Sequence, residues 1–284
     1  MAIQLAFSTV ACPAWTIDEV AQRAAAMGYQ GVELRTHGGG EGLASDPASG
    51  SADKTRDVLR AAGIEPVCLS TSFTLHHKSD QTARQVHRQI LDAIHLAAHI
   101  GFSSIRVFGG WYEPGENSRS VLQRIAKRAR ALMDVAMDAG VHVLFENSRP
   151  FSQAKPWWWL LDLVEHPMAG MCWNVMDAAA AGESPAVSVP NLHSRIRLAK
   201  ITDVIFGEGS GFVPIGAGEV EIHDFVNRLL GIGYDGYISV EWDPTWAPNL
   251  AAADEVLPQA RETVQGWLDD VAGEIELAAS GKKK

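Results

Sequence analysis

The chain of 284 residues contains only three cysteines, which lie far apart at Cys12, Cys68 and Cys172. They form no CxxC pair and no Cys/His cluster, so the sequence gives no basis for a disulfide framework or a structural zinc site. We expect all three to be reduced and buried.

The sequence also lacks an excess of positive charge and any long apolar stretch. With 24 Lys and Arg against 34 Asp and Glu, its formal net charge is −10. This charge disfavours nucleic acid, because binding it requires the neutralisation of many phosphates. No run approaches the ~20 apolar residues of a membrane span, and the amino terminus does not resemble a signal peptide. We therefore expect a soluble cytoplasmic protein without a nucleic-acid or membrane partner.

A repeated αβ unit is present along the whole chain. A helical apolar period ends at a glycine, which suits the left-handed residue just past a helix, and a short β-type run follows. With three further apolar runs, the pattern predicts eight strands, at 4–7, 31–34, 65–69, 104–108, 141–145, 170–173, 196–199 and 237–240. Strands that alternate with helices form parallel sheets, and eight strands in this length favour a single closed (β/α)8 barrel, a TIM barrel.

The predicted barrel extends over residues 1–275, and the Lys-rich segment 276–284 is predicted to be a disordered basic tail. Two Gly-rich segments follow strands, at 37–51 and 203–219. In a barrel both lie on the catalytic face, where we expect loops that act as lids, and the run around 207–211 is predicted to be a flexible loop.

Polar residues at the predicted strand ends indicate an active centre, because barrel active sites lie at the carboxyl ends of the strands. Glu146 follows the fifth strand, and Asn174 and Asp177 follow the sixth. Lys200 lies at the end of the seventh strand, and Glu241 follows the eighth. We predict that Glu146, Lys200 and Glu241 are catalytic.

The segment from Pro214-Ile215-Gly216-Ala217-Gly218-Glu219 to Gly233-Tyr234-Asp235-Gly236 and Glu241 resembles the last βαβ unit of the xylose isomerase-like barrels of sugar-phosphate isomerases and epimerases. Weaker likeness covers most of the chain, including Phe145-Glu146-Asn147. The resemblance implies the (β/α)8 fold and an isomerase or epimerase of carbohydrate metabolism. It also implies one divalent cation, Mn²⁺ or Mg²⁺, held by Glu, Asp, His and Glu at four strand ends.

This chain departs from that ligand set at two positions. Glu146 and Glu241 match the glutamates, but Asn174 replaces the aspartate and Lys200 replaces the histidine. A charged lysine has no lone pair and cannot bind a metal. We therefore predict no cofactor, with the Lys200 ammonium paired with both glutamates in place of the metal. The alternative is a divalent ion bound by Glu146, Asn174 and Glu241.

The leading functional hypothesis is proton transfer α to the carbonyl of a small sugar, keto-inositol or sugar acid. One glutamate removes the proton, the other returns it, and Lys200 stabilises the enediolate oxygen. A dehydratase or lyase of the same family would use the same intermediate. A catalytically inactive sugar-binding or regulatory barrel is a further hypothesis. Lys200 could also form a structural salt bridge or act as a Schiff-base lysine, although flanking carboxylates oppose the Schiff base.

Further residues are predicted to bind the carbohydrate substrate: His37, Arg106, Arg149, Asn174 and Asp177. Strand alternation leaves open whether Arg106 points into the barrel or out to the helices. The run Trp157-Trp158-Trp159 is predicted to pack on the barrel or on another subunit, so a homo-oligomer is one expected state.

Overall fold

The computed structural model of the protein describes residues 3–36, 44–112, 115–207, 211–244 and 250–281, with the side chains described as far as residue 271. The predicted substrate-binding residue His37 lies outside these ranges.

Eight parallel strands close into a barrel, which confirms the predicted fold class. Around the barrel they follow the order β1-β10-β7-β6-β5-β4-β3-β2. The barrel strands are β1 (Gln4–Ser8), β2 (Gly31–Arg35), β3 (Glu65–Thr74), β4 (Ser104–Phe108), β5 (His142–Glu146), β6 (Ala169–Asn174), β7 (Ile196–Ile201) and β10 (Tyr237–Val240). Each contains or overlaps one predicted strand, and the differences lie at the ends.

Helices surround the barrel and connect its strands. They are α1 (Ile17–Met27), α2 (Ala52–Ala62), α3 (Asp80–Ile100), α4 (Ser118–Arg130), α5 (Met133–Ala139), α6 (Ala154–Val164), α7 (Val175–Ala180), α8 (Pro185–Leu192), α9 (Ile222–Gly231) and α10 (Ala253–Gly281). The glycines that follow α1, α2, α3 and α5 all have left-handed backbone angles, with φ between 67° and 105°. The αL glycine after a helix is therefore a correct sequence signal in this chain.

The apolar core has two parts. The larger part lies between the strands and the helices, and the smaller lies inside the barrel, where Ala6, Cys68, Leu144, Cys172 and Leu198 are all buried. The three cysteines are free and buried, as the sequence predicts. The apolar layer inside the barrel supports a charged layer nearer the carboxyl ends of the strands.

The segment after β7 includes the predicted flexible loop around 207–211, of which residues 208–210 lie outside the described ranges. It contains a short antiparallel hairpin of β8 (Asp203–Ile205) and β9 (Gly211–Val213). The buried Asp203 carboxylate accepts hydrogen bonds from the backbone N–H groups of Val204, Gly216, Gly218 and Val220. One carboxylate therefore organises the described part of this segment.

The carboxyl-terminal helix α10 continues to Gly281, into the segment predicted as a tail, and the boundary at residue 275 stays a prediction. Within the described ranges, no helix combines the length and the apolar character needed to cross a membrane.

Candidate active site

Charged side chains occupy the inside of the barrel at the carboxyl ends of its strands. Alternate residues of each strand point inward, and these positions include Glu33 in β2, Arg106 in β4, Glu146 in β5 and Lys200 in β7. All four are at most 3% exposed. Glu241 follows β10 at the same end of the barrel.

Lys200 lies among three carboxylates. Its Nζ is 3.3 Å from Oε1 of Glu146 and 3.4 Å from Oε1 of Glu33, and it also contacts Oε2 of Glu241. Burial alone would lower the pKa of Lys200, but Glu146, Glu241 and Glu33 outweigh it and raise the pKa well above its usual value. Lys200 is therefore an ammonium ion.

Arg106 points into the barrel, which settles the direction that strand alternation left open. Its Nε is 2.8 Å from Oε2 of Glu146, and its Nη1 donates to the carbonyl oxygen of Thr71 at 2.5 Å. The amide of Asn174 also donates to Glu146, at 3.2 Å. Glu146 is thus held by a guanidinium, an amide and the ammonium of Lys200.

Glu33 is the member of this cluster that was not predicted from the sequence. Its carboxylate accepts hydrogen bonds from the hydroxyls of Ser70 at 2.5 Å and Ser239 at 2.7 Å. Burial opposes its ionisation, but Lys200, Arg106 and the two hydroxyls outweigh burial and lower its pKa to about 2. The sequence signal that could have identified Glu33 is its position between the apolar residues Val32 and Leu34 of a predicted strand.

The pKa values of Glu241 and Asp177 are raised, in contrast to the lowered pKa of Glu33. Burial and the negative charges of Glu146 and Glu33 raise the pKa of Glu241, despite its contact with Lys200. Burial, assisted by Glu146 and Glu241, raises the pKa of Asp177 to about 7. Near neutral pH, Asp177 can therefore hold a proton.

An open cavity of about 590 Å³ covers this cluster. Seven of the eight predicted site residues line it, namely Arg106, Glu146, Arg149, Asn174, Asp177, Lys200 and Glu241. Arg149 lies at the exposed rim, and Phe108 and Phe212 contribute apolar surface. The cavity thus combines charged groups with apolar walls, as small-molecule sites do.

The donor set does not fit a divalent cation. The Lys200 ammonium contacts both Glu146 and Glu241, where a cation bound by them would have to lie. The Asn174 side-chain oxygen accepts from the backbone N–H groups of Met176 and Asp177, so it caps α7. In the part of the chain that the structure describes, no three His, Cys, Asp or Glu side chains form a group that could hold a metal.

The run Trp157-Trp158-Trp159 does not line the cavity. Trp157 is buried and its ring stacks on Phe145, whereas Trp158 is 44% exposed. The prediction that the tryptophan run packs on the barrel is thus confirmed for Trp157. The homo-oligomer stays a prediction.

The chain belongs to the family described as the xylose isomerase-like TIM barrel, whose model matches residues 21–268. Structures with this fold include an L-ribulose 3-epimerase, which is 16% identical, with a TM-score of 0.79 over 98% of both chains. The probable 3-DHS dehydratase AsbF of Bacillus anthracis is 18% identical, with a TM-score of 0.75 over 93% of this chain and 99% of that one. The IOLI protein, solved with a zinc atom, is 16% identical, with a TM-score of 0.80 over 94% and 99%.

At these identities the three structures establish the fold alone. A search of curated protein sequences finds no significant match. The reaction of this protein depends on its own site residues, because one fold supports many reactions.

Proposed function

We propose that this protein is an isomerase or epimerase that moves a proton α to the carbonyl of a small sugar, keto-inositol or sugar acid. Glu146 and Glu241 act as base and acid, and Lys200 stabilises the enediolate oxygen. The observation that carries the proposal is the Lys200 ammonium, which contacts both carboxylates beside an open cavity at the carboxyl ends of the strands. Membership of a sugar isomerase-like family supports the same class.

The position of Lys200 suits this chemistry for an electrostatic reason. Removal of a proton α to a carbonyl places negative charge on the carbonyl oxygen, and a fixed cation away from bulk water stabilises that charge strongly. Because its raised pKa keeps Lys200 charged, it has no lone pair with which to form a Schiff base. We therefore assign it an electrostatic role.

The two glutamates are not equivalent. Three cationic or amide groups hold the Glu146 carboxylate, and its side chain is 4% exposed. The Glu241 side chain is 22% exposed, and its raised pKa makes it a stronger base than an ordinary glutamate when ionised. We infer that Glu241 removes the proton and that Glu146 acts on the opposite transfer.

We also propose that the reaction requires no divalent cation. The ammonium of Lys200 supplies the positive charge between the glutamates, and the Asn174 oxygen is used in the cap of α7. The test is elemental analysis of the purified protein, together with activity after chelation. A stoichiometric divalent ion bound by Glu146, Asn174 and Glu241 would refute this part of the proposal.

The test of the reaction is hydrogen exchange at the α-carbon. Keto sugars and sugar acids are incubated in heavy water with wild type, Glu146→Gln, Glu241→Gln and the surface control Glu262→Gln. We expect exchange with wild type and the control, and a loss of about 10²-fold or more in the two site variants. Exchange that survives both site changes would reject the mechanism. Ligand-induced stabilisation without exchange would indicate a sugar-binding or regulatory barrel instead.

A dehydratase or lyase is the second candidate, and Asp177 favours it. Elimination from the same enediolate requires a proton for the departing hydroxyl, and Asp177 lines the cavity with a pKa of about 7. Product analysis distinguishes the two reactions, because elimination releases water and forms a new carbonyl compound, whereas epimerisation conserves mass.

A further inference from the structure

Arg35, the last residue of β2, lines the cavity but takes no part in the Glu146 and Lys200 cluster. Its Nη2 donates to the hydroxyl of Ser72 at 2.9 Å, which is the one protein partner of its guanidinium among the residues that the structure describes. The Nε atom is buried and has no hydrogen-bond partner within those ranges. The guanidinium therefore has donors that no group of the described ranges accepts.

Arg106 provides the internal comparison. Its Nε also lacks a hydrogen bond, but Arg106 forms an ion pair with the Glu146 carboxylate and donates to the Thr71 carbonyl. No carboxylate of the described ranges forms an ion pair with Arg35. Burial and the positive charge of Arg106 lower the pKa of Arg35 to about 10, so it remains charged at neutral pH. A partly buried cation without a counter-ion is costly, and an anionic ligand would remove that cost.

The barrel places Arg35 on the wall facing Asp177. Strand β2 is separated from β6 by three strands in either direction around the ring of eight, and Asp177 follows β6. Lys200 lies on β7, beside β6. A ligand whose carbonyl meets Lys200 can therefore reach Arg35 with its other end across the cavity.

We propose that Arg35 binds a carboxylate of the substrate, so that the substrate is a sugar acid and not a neutral sugar. This inference rests on the proposed function. It narrows the substrate from a sugar, keto-inositol or sugar acid to the sugar acid alone. A guanidinium matches a planar carboxylate through two parallel N–H donors. A carboxylate suits the site better than a phosphate because Glu241, Asp177 and Asp243 also line the cavity and repel a dianion more strongly.

The test uses matched sugars that differ only in the carboxylate. D-Glucuronate and D-galacturonate are compared with D-glucose and D-galactose, and D-fructuronate with D-fructose and D-fructose 6-phosphate. Binding is measured by calorimetry and thermal shift with wild type, Arg35→Gln, Arg35→Lys and the surface control Arg60→Gln. Exchange of the α-hydrogen is followed in the same samples.

We expect at least one carboxylate ligand to bind wild type and the control about 10-fold or more tightly than its neutral counterpart. Arg35→Gln should abolish that preference, with a loss of about 10- to 100-fold, and Arg35→Lys should restore part of it. Equal binding of the neutral sugar, stronger binding of the phosphorylated sugar, binding insensitive to Arg35→Gln, or no binding of any sugar acid would overturn the inference.

The two proposals fail in different ways. If the α-hydrogen of a neutral sugar exchanges and the protein binds carboxylate ligands no more tightly than neutral ones, the role of Arg35 is rejected and the proton-transfer reaction is supported. Carboxylate binding that depends on Arg35, without exchange or product, rejects the reaction and keeps the Arg35 site.

Discussion

Replacing Glu33 by Gln removes the most deeply buried carboxylate of the barrel while nearly preserving its volume. In the folded protein the pKa of Glu33 is lowered from an ordinary value of 4.5 to about 2. Folding therefore favours the ionised form, which stabilises the protein fully above pH 4.5, and this stabilisation is lost as the pH falls toward 2. At about 1.36 kcal/mol per pKa unit, the contribution is about 3 kcal/mol at pH 7.

The two pKa values of Glu33 also determine how its contribution to the free energy of unfolding depends on pH. The same two pKa values leave about half of the contribution at pH 3. We therefore expect Glu33→Gln to lower the free energy of unfolding by about 3 kcal/mol at pH 7 and by about half of that at pH 3.

Urea unfolding at pH 7, 5, 4 and 3 measures this difference against wild type and the exposed control Glu262→Gln. A loss that is the same at every pH would show that packing or hydrogen bonding, and not the charge of Glu33, is responsible. An increase in stability at pH 7 would contradict the electrostatic argument altogether, because it would mean that the pairing with Lys200 does not offset desolvation.

Three further predictions concern single side chains. Lys200→Met leaves three carboxylates without their shared cation, so we expect a loss of about 3 to 5 kcal/mol in urea unfolding at pH 7 that shrinks at acidic pH, and a constant loss would contradict this origin. Asp203→Asn removes one acceptor oxygen and should speed amide hydrogen exchange at Gly216 and Gly218 while the barrel strands stay protected; global acceleration would refute a local role. Asp177→Asn should abolish an ionisation near pH 7 in the pH dependence of turnover, and an unchanged profile would exclude Asp177.

The barrel was predictable because its signals are local. The glycine after each of four helices and the apolar run that follows are read within a short stretch of sequence, and alternating units leave few topologies. The polar residues at strand ends were accessible by the same logic, since parallel strands bring their carboxyl ends to one face. Glu146, Lys200 and Glu241 were found for that reason.

The missed features depend on contacts distant in sequence. The direction of Arg106 requires the phase of β4 around the barrel, which the apolar pattern of a strand buried on both faces does not reveal. Glu33 is stabilised by Lys200 and Ser239, which follow it by more than 160 residues. The hairpin after β7 depends on one carboxylate that gathers amides up to 17 residues away.

The charges inside the barrel explain how a lysine can stand between two glutamates. Glu33, Glu146 and Glu241 carry three negative charges, and Lys200, Arg106 and Arg35 carry three positive charges. Two of these cations, Lys200 and Arg106, contact the carboxylates directly, so a divalent ion placed between Glu146 and Glu241 would lie against like charge in a buried layer. This balance supports the proposal of a metal-independent site. Arg35 is the cation of this layer that forms no ion pair with a carboxylate of the described ranges, so its guanidinium can accept a ligand carboxylate as its partner.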